Sequence, residues 1–172
     1  GVPTGTEQEL AQALLKAADE GRLIWYAPAP EGYDQIKAYA DGDVISADCT
    51  LDVRVLQLLV MTSQEFNEMS VNSLNRRCTG STAGIGKASA HWRGQAADIG
   101  HLNGTYTTGD PASAESYQWW EMFARVASGS GGGLGQSQCR TTSYPGIADY
   151  VDGCNHLHFE IGRGGNTEPL KG

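Results

Sequence analysis

The side chains best suited to chemistry lie in two short stretches. All four histidines fall there: His91 and His101 in SAHWRGQAADIGH, His156 and His158 in CNHLHFEIG. Imidazole is the commonest metal ligand and the group that most readily changes charge near neutral pH. On a strand, alternate side chains share a face, so His156 and His158 point the same way about 7 Å apart, while Leu157 and Phe159 point into a core. An H-x-H pair alone is weak evidence for a metal, because a solvated or core pair reads the same. Partners in the first stretch strengthen it. In Ser89-x-His91-x-x-Gly94-x-Ala96-x-Asp98, small residues stand where a backbone must turn or pass closely, leaving His91 and Asp98 at the ends of a short connection. His91 and Asp98 with an imidazole of the H-x-H pair give two imidazoles and one carboxylate, a set that suits catalytic zinc with a fourth position left to water.

The pattern S-x-H-x-x-G-x-A-x-D, followed by a strand bearing H-x-H, resembles the superfamily that joins lysostaphin-type endopeptidases, D-Ala-D-Ala metallopeptidases and hedgehog. The first motif and the preceding VNSLNRRC are similar to the D-Ala-D-Ala peptidase branch, and HLHFEI is similar to the lysostaphin branch. The resemblance covers roughly residues 50–162. It implies that His91, Asp98 and His158 hold zinc, that His156 is the catalytic histidine beside it, and that the substrate is a peptidoglycan stem peptide, cut as a D,D-carboxypeptidase or as an endopeptidase. It also implies a hedgehog/DD-peptidase-like fold. Many relatives carry a catalytic Glu three residues before the last ligand, where this chain has Asn155. His156 must therefore serve as base or transition-state stabiliser. The competing expectation is a zinc-containing module of the same fold that binds without cleaving, as hedgehog illustrates.

Zinc would lower the pKa of a water towards about 7 and polarise a peptide carbonyl, and an imidazole can take or share the proton. Arg76 or Arg77 offers a planar fork for a peptide carboxylate; two solvated loop arginines are the plainer reading. Arg76 is preferred for its place after Ser73. Ser89 is expected to hydrogen-bond near His91 and contact substrate, since no acyl-transfer signature surrounds it. His101 is assigned to a turn, and Trp119, Trp120 and Phe123 to the core. Glu160 shares a strand face with His158, and Asp152 could contact a substrate amine, orient an imidazole or be an ordinary loop acid.

These residues need a scaffold. Thr6 with Glu9 forms a capping box opening a helix over 7–20. Residues 23–26 read as a strand before a Pro-rich loop, and Tyr33–Ala40 as a small helix. Residues 51–63 are apolar nearly all round, which predicts a buried helix. Met69–Leu74 is a strand, 75–90 a loop, Gln95–Ile99 a strand closed by a turn at His101–Gly104, and Asn155–Ile161 the last strand. Asp110-Pro111 predicts a helix start running to Ser128, and the glycine-rich 128–135 reads as a mobile stretch or lid. The expected architecture is α+β, a small, mainly antiparallel sheet packed on helices. It is expected to form one domain over 1–172, with a metallopeptidase-like core at about 45–162 and an N-terminal helical extension over 1–44.

Composition bounds the partners. A net charge of -8 and no basic cluster argue against nucleic acid and anionic membranes, and no apolar run approaches the roughly 20 residues of a membrane span. A monomer is expected. Cys49, Cys78, Cys139 and Cys154 lack C-x-x-C spacing and predict two disulfides, Cys49–Cys78 and Cys139–Cys154, each closing a local loop worth about 3 kcal/mol. Disulfides place the chain in an oxidising compartment, secreted or wall-associated.

Overall fold

The computed structural model describes residues 1–25, 31–106 and 112–172. Among these residues four α-helices, α1 (Glu7–Asp19), α2 (Glu31–Ala40), α3 (Val53–Glu65) and α4 (Ala114–Ala127), accompany seven strands: β1 (Leu23–Trp25), β2 (Met69–Ser73), β3 (Ala96–Leu102), β4 (Thr105–Tyr106), β5 (Gly133–Leu134), β6 (Ala148–Asp149) and β7 (Leu157–Glu160). The strands form one sheet in the order β1-β2-β3-β7-β5-β6, with β4 also on β3. Its central pairs, β2–β3, β3–β7 and β7–β5, are antiparallel, and the outer β1–β2 and β5–β6 are parallel. The fold is α+β, as the pattern of elements predicts.

Local chemistry accounts for the helix starts. Thr6 accepts from the Glu9 amide while the Glu9 carboxylate accepts from Thr6 N, so the expected capping box is formed. Asp52 caps α3 by accepting from Arg54 N, and α3 is buried from Arg54 to Ser63. The start of α4 differs from expectation. Ser113 caps it, accepting from Ser116 N at 3.2 Å, and Asp110-Pro111 lie outside the described residues, as do Tyr26 and the Pro-rich segment. Serine accepts the orphan amide as well as aspartate does.

A single cluster of buried apolar side chains runs from Leu10 and Leu14 of α1 through α3 to Leu157 and Phe159 of β7. Trp119, Trp120 and Phe123 belong to it, as expected, with Phe159 5.2 Å from the Trp119 ring and 5.7 Å from that of Phe123. Fully buried phenylalanines of this kind stabilise by about 1.5–3 kcal/mol each. Trp119 is also fixed in direction, its indole N–H donating to Thr62 Oγ1 at 2.8 Å.

Two expectations fail for identifiable reasons. His101 lies within β3, which runs on to Leu102; the turn is confined to Asn103-Gly104, whose positive φ values of 53° and 73° make the hairpin to β4. Asn-Gly supplies both left-handed positions of a two-residue hairpin. The glycine-rich 128–135 is neither a mobile stretch nor a lid. It contains β5, Ser130 is fully buried, and a side chain at Gly133 would stand 2.7 Å from the Tyr150 ring. Glycine here permits close backbone approach, which composition cannot tell apart from looseness.

Both expected disulfides are present, Cys49–Cys78 and Cys139–Cys154, spanning 29 and 15 residues. Two disulfides fit an extracytoplasmic protein. Among the described residues no helix is long and apolar enough to cross a membrane.

Candidate metal centre

The site is a row across the middle of the sheet. Register places Ser73 of β2 opposite Asp98 of β3, and Asp98 opposite His158 of β7. Directly opposed residues of an antiparallel pair project from the same face. On β7 the alternation is clean, Leu157 and Phe159 buried beneath and His158 and Glu160 half-buried above, so one side of the strand packs and the other faces the cleft.

His91 reaches this row from a 3₁₀ turn, Ala90–Arg93. Ser89 caps the turn, its hydroxyl accepting from His91 N at 3.2 Å, and Gly94 ends it in the left-handed region at φ 69°. A side chain at Gly94 would run into the Thr50 carbonyl oxygen. The small residues of the motif therefore do what their spacing implies: one caps, one turns, and His91 is delivered beside Asp98. The His91 ring is buried, with Nδ1 2.7 Å from the Leu74 carbonyl oxygen. A carbonyl only accepts, so Nδ1 carries a proton and Nε2 is the ring atom that faces Asp98 and would be the one to bind a cation.

His91 Nε2 and His158 Nδ1 each lie 3.1 Å from Asp98 Oδ1, and one ligand atom from each of the three residues lies within 4.8 Å of the others. The group could hold a metal ion. Its composition, with the tautomer of His91 already set by Leu74, fits a divalent cation that takes nitrogen and oxygen ligands. Burial alone would raise the Asp98 carboxyl, but the charges of and hydrogen bonds from His91 and His158 outweigh it and hold Asp98 far below the ordinary aspartate range. Burial works against a charged His158 too, yet its hydrogen bond to Asp98 and the nearby Glu160 carboxylate hold its pKa up to about 9. A cation binding at His158 would therefore compete with a proton.

His156 stands beside this set, 3.7 Å from Asp98 Oδ1 through Nε2. It comes from the bend before β7 and not from the strand itself, so strand alternation is not what aims it. Asp152 and Asn155 do: Nε2 is 3.0 Å from Asp152 Oδ2 and Nδ1 2.7 Å from Asn155 Oδ1. Of the three readings of Asp152 from sequence, the orienting carboxylate is the one its contact with Nε2 supports.

The arginines separate. Arg76 lines the cleft, but its Nη2 donates to Asp98 Oδ2 at 3.2 Å and its Nε to Ser73 Oγ at 3.1 Å. It braces a candidate ligand, and much of its fork is already used. Arg77 turns away to Asp48 at 2.8 Å and does not line the cleft. Adjacent residues of a turn point in different directions, which the Arg-Arg pair conceals. Glu160 faces His158 with Oε2 3.9 Å from Nε2.

Sequence reading missed Gln136, whose φ is 56° and whose side-chain oxygen accepts from His158 N at 2.9 Å. No motif flags it; its neighbours Gly135 and Ser137 only suggest a turn. It also missed Arg93 and Arg163, which line the cleft with Tyr150 and Val151. The cleft encloses about 520 Å³, a volume suited to a small molecule or a few residues of peptide. No family model matches the chain, and neither do any of the curated proteins or solved structures compared with it.

Proposed function

We propose that the chain is a secreted zinc metallopeptidase of the lysostaphin, D-Ala-D-Ala metallopeptidase and hedgehog type, acting on peptidoglycan stem peptides. The observation that carries this reading is the convergence of His91, Asp98 and His158 on one point, with a second imidazole, His156, held beside them by Asp152 in an open cleft. Zinc on those three ligands would supply Lewis acidity and an acidified water. The chain's own residues divide the remaining work. His156 is placed to donate to the charge that develops on a peptide carbonyl oxygen or to pass a proton to the leaving amine. Asp152 fixes the ring, Arg76 braces Asp98, and Gln136 anchors the backbone of His158.

The rival reading, a zinc-containing module that binds wall peptides without cleaving them, draws on Asn155. That residue stands where many relatives carry a catalytic Glu, and its side chain is spent on His156. Mass spectrometry of muropeptides digested by three zinc-treated proteins decides between them. Wild type is expected to cleave; His156→Ala should keep stoichiometric zinc and lose cleavage by about 10²- to 10⁴-fold; His158→Ala should lose both. Wild-type protein that holds zinc and binds muropeptides without cutting them establishes the rival, and wild type that holds no zinc after dialysis sinks both.

A further inference from the structure

We propose that Arg93 and Arg163 form a subsite for a carboxylate of the substrate, at the end of the cleft beyond Glu160 and at least two residues from the metal-ligating set. The floor of the cleft follows β7: His156 just before it, His158 and Glu160 within it, and Arg163 three residues past its end. Because Ala96 pairs with Glu160, β3 begins at this same end. Arg93, three residues before Ala96, closes the 3₁₀ turn that carries His91. Two arginines distant in sequence therefore meet the cleft at one extremity.

Neither is neutralised by a carboxylate within ion-pair reach among the described residues. Arg93 donates Nε to the neutral Gln95 Oε1 at 3.2 Å, and Arg163 has no side-chain hydrogen bond among them. Glu160 faces His158 and Tyr150, and the Arg93 charge also acts on it, without a contact within ion-pair reach. In a chain with a net charge of -8, an exposed basic pair inside this cleft is a local reversal of sign. Planar guanidinium forks match a carboxylate in both geometry and charge. Arg76, the cation expected for that task from sequence, is already committed to Asp98 and Ser73.

Spacing sets which carboxylate is meant. Glu160 is about 7 Å beyond His158 along the strand, and Arg163 is farther. An extended peptide covers about 3.3–3.6 Å per residue, so an acid bound at this end belongs to a residue two or more removed from the one at the metal set. The cleft also presents apolar side chains, with Ile85 74% and Val151 81% exposed. The substrate class is accordingly an acidic peptide lying along the cleft, which favours internal cleavage over removal of a terminal residue.

The identity of the ligand as a peptide rests on the peptidase reading, so binding and cleavage are measured separately. The probes are soluble muropeptides, native or with their carboxylates amidated by carbodiimide and ammonia, titrated into zinc-loaded protein. Wild type is expected to bind the native form about tenfold or more tightly, the worth of one charge-assisted contact. The Arg93→Gln/Arg163→Gln double variant should bind both forms alike with unchanged zinc content and unchanged melting temperature. Equal binding of the two forms by wild type, or a preference that survives in the double variant, overturns the subsite. Wild type that prefers the native form without cutting it leaves the subsite standing and removes the peptidase; cutting without preference does the reverse.

Discussion

At the scale of single residues, ligand and helper roles are set by hydrogen-bond chemistry. The Leu74 carbonyl fixes the proton of His91 on Nδ1, which leaves Nε2 for a cation. His158 reaches Asp98 through Nδ1, so the two imidazoles approach from different nitrogens. Asp152 has no part in the ligand set; its carboxylate meets His156 Nε2 and accepts from Gly153 N. Asp152→Asn should therefore slow muropeptide cleavage by about ten- to hundredfold while zinc content stays at the wild-type level. Loss of zinc in that variant would show that Asp152 belongs to the metal site.

At the scale of elements, the cleft depends on two short connections. Gly94 ends the turn that presents His91, in a left-handed conformation and against the Thr50 carbonyl. Gly94→Ala should cost at least about 2 kcal/mol, since the left-handed region alone costs about 1–2 kcal/mol for a residue with a side chain and the backbone must also shift. Denaturant unfolding of wild type and variant measures it, and equal midpoints would refute it. The second connection is the Asp52–Arg54 pair at the start of α3, both largely buried, where Arg54 also donates to the Ser130 and Glu168 carbonyls. Burial works against the Asp52 charge, but hydrogen bonds from Arg54 and Gln95 outweigh it and hold its pKa below the ordinary 3.8. A depressed carboxyl contributes stability that is complete above its unfolded value and is lost as pH falls through the folded one. Asp52→Asn should thus destabilise by about 3 kcal/mol near neutral pH, as breaking a buried pair does, with the gap to wild type closing below about pH 3.8. A gap that stays constant down to pH 2.5 would mean that the charge contributes nothing.

At the scale of the whole molecule, two disulfides tie the segments that surround the site, and a bound metal would add a third cross-link. Cys49–Cys78 ties the segment before α3 to the loop after β2, and Cys139–Cys154 ties the loop of Gln136 to the bend carrying His156. Zinc on His91, Asp98 and His158 would join β3, β7 and the 3₁₀ turn, and any ligand that binds only the folded chain stabilises it by mass action. A thousandfold excess of zinc over its Kd adds about 4 kcal/mol, which in a chain of this size raises Tm by roughly 8–16 °C. Calorimetry with and without a chelator should show that difference. An unchanged Tm would argue against zinc binding at this centre.

The amino-acid sequence by itself determined the α+β class, most helices and strands, the disulfide pairing and the candidate ligands His91 and Asp98, while the choice of His158 over His156 came from the resemblance. Each rests on a local signal: periodicity, caps, loop closure, or small residues at a fixed distance from His91. Tertiary structure alone decided that Arg76 braces Asp98 while Arg77 leaves the cleft, that Asp152 aims His156, that Gln136 holds His158, and that the glycines of 128–135 are buried in a sheet. Apart from Asp152, which meets His156 four residues away across an irregular bend, those outcomes depend on which distant backbone segments come within a few ångströms, and a side chain's direction at such a crossing has no counterpart in composition or spacing. Arg93 and Arg163 share that reason, since only the antiparallel register of β3 on β7 brings the two to one end of the cleft.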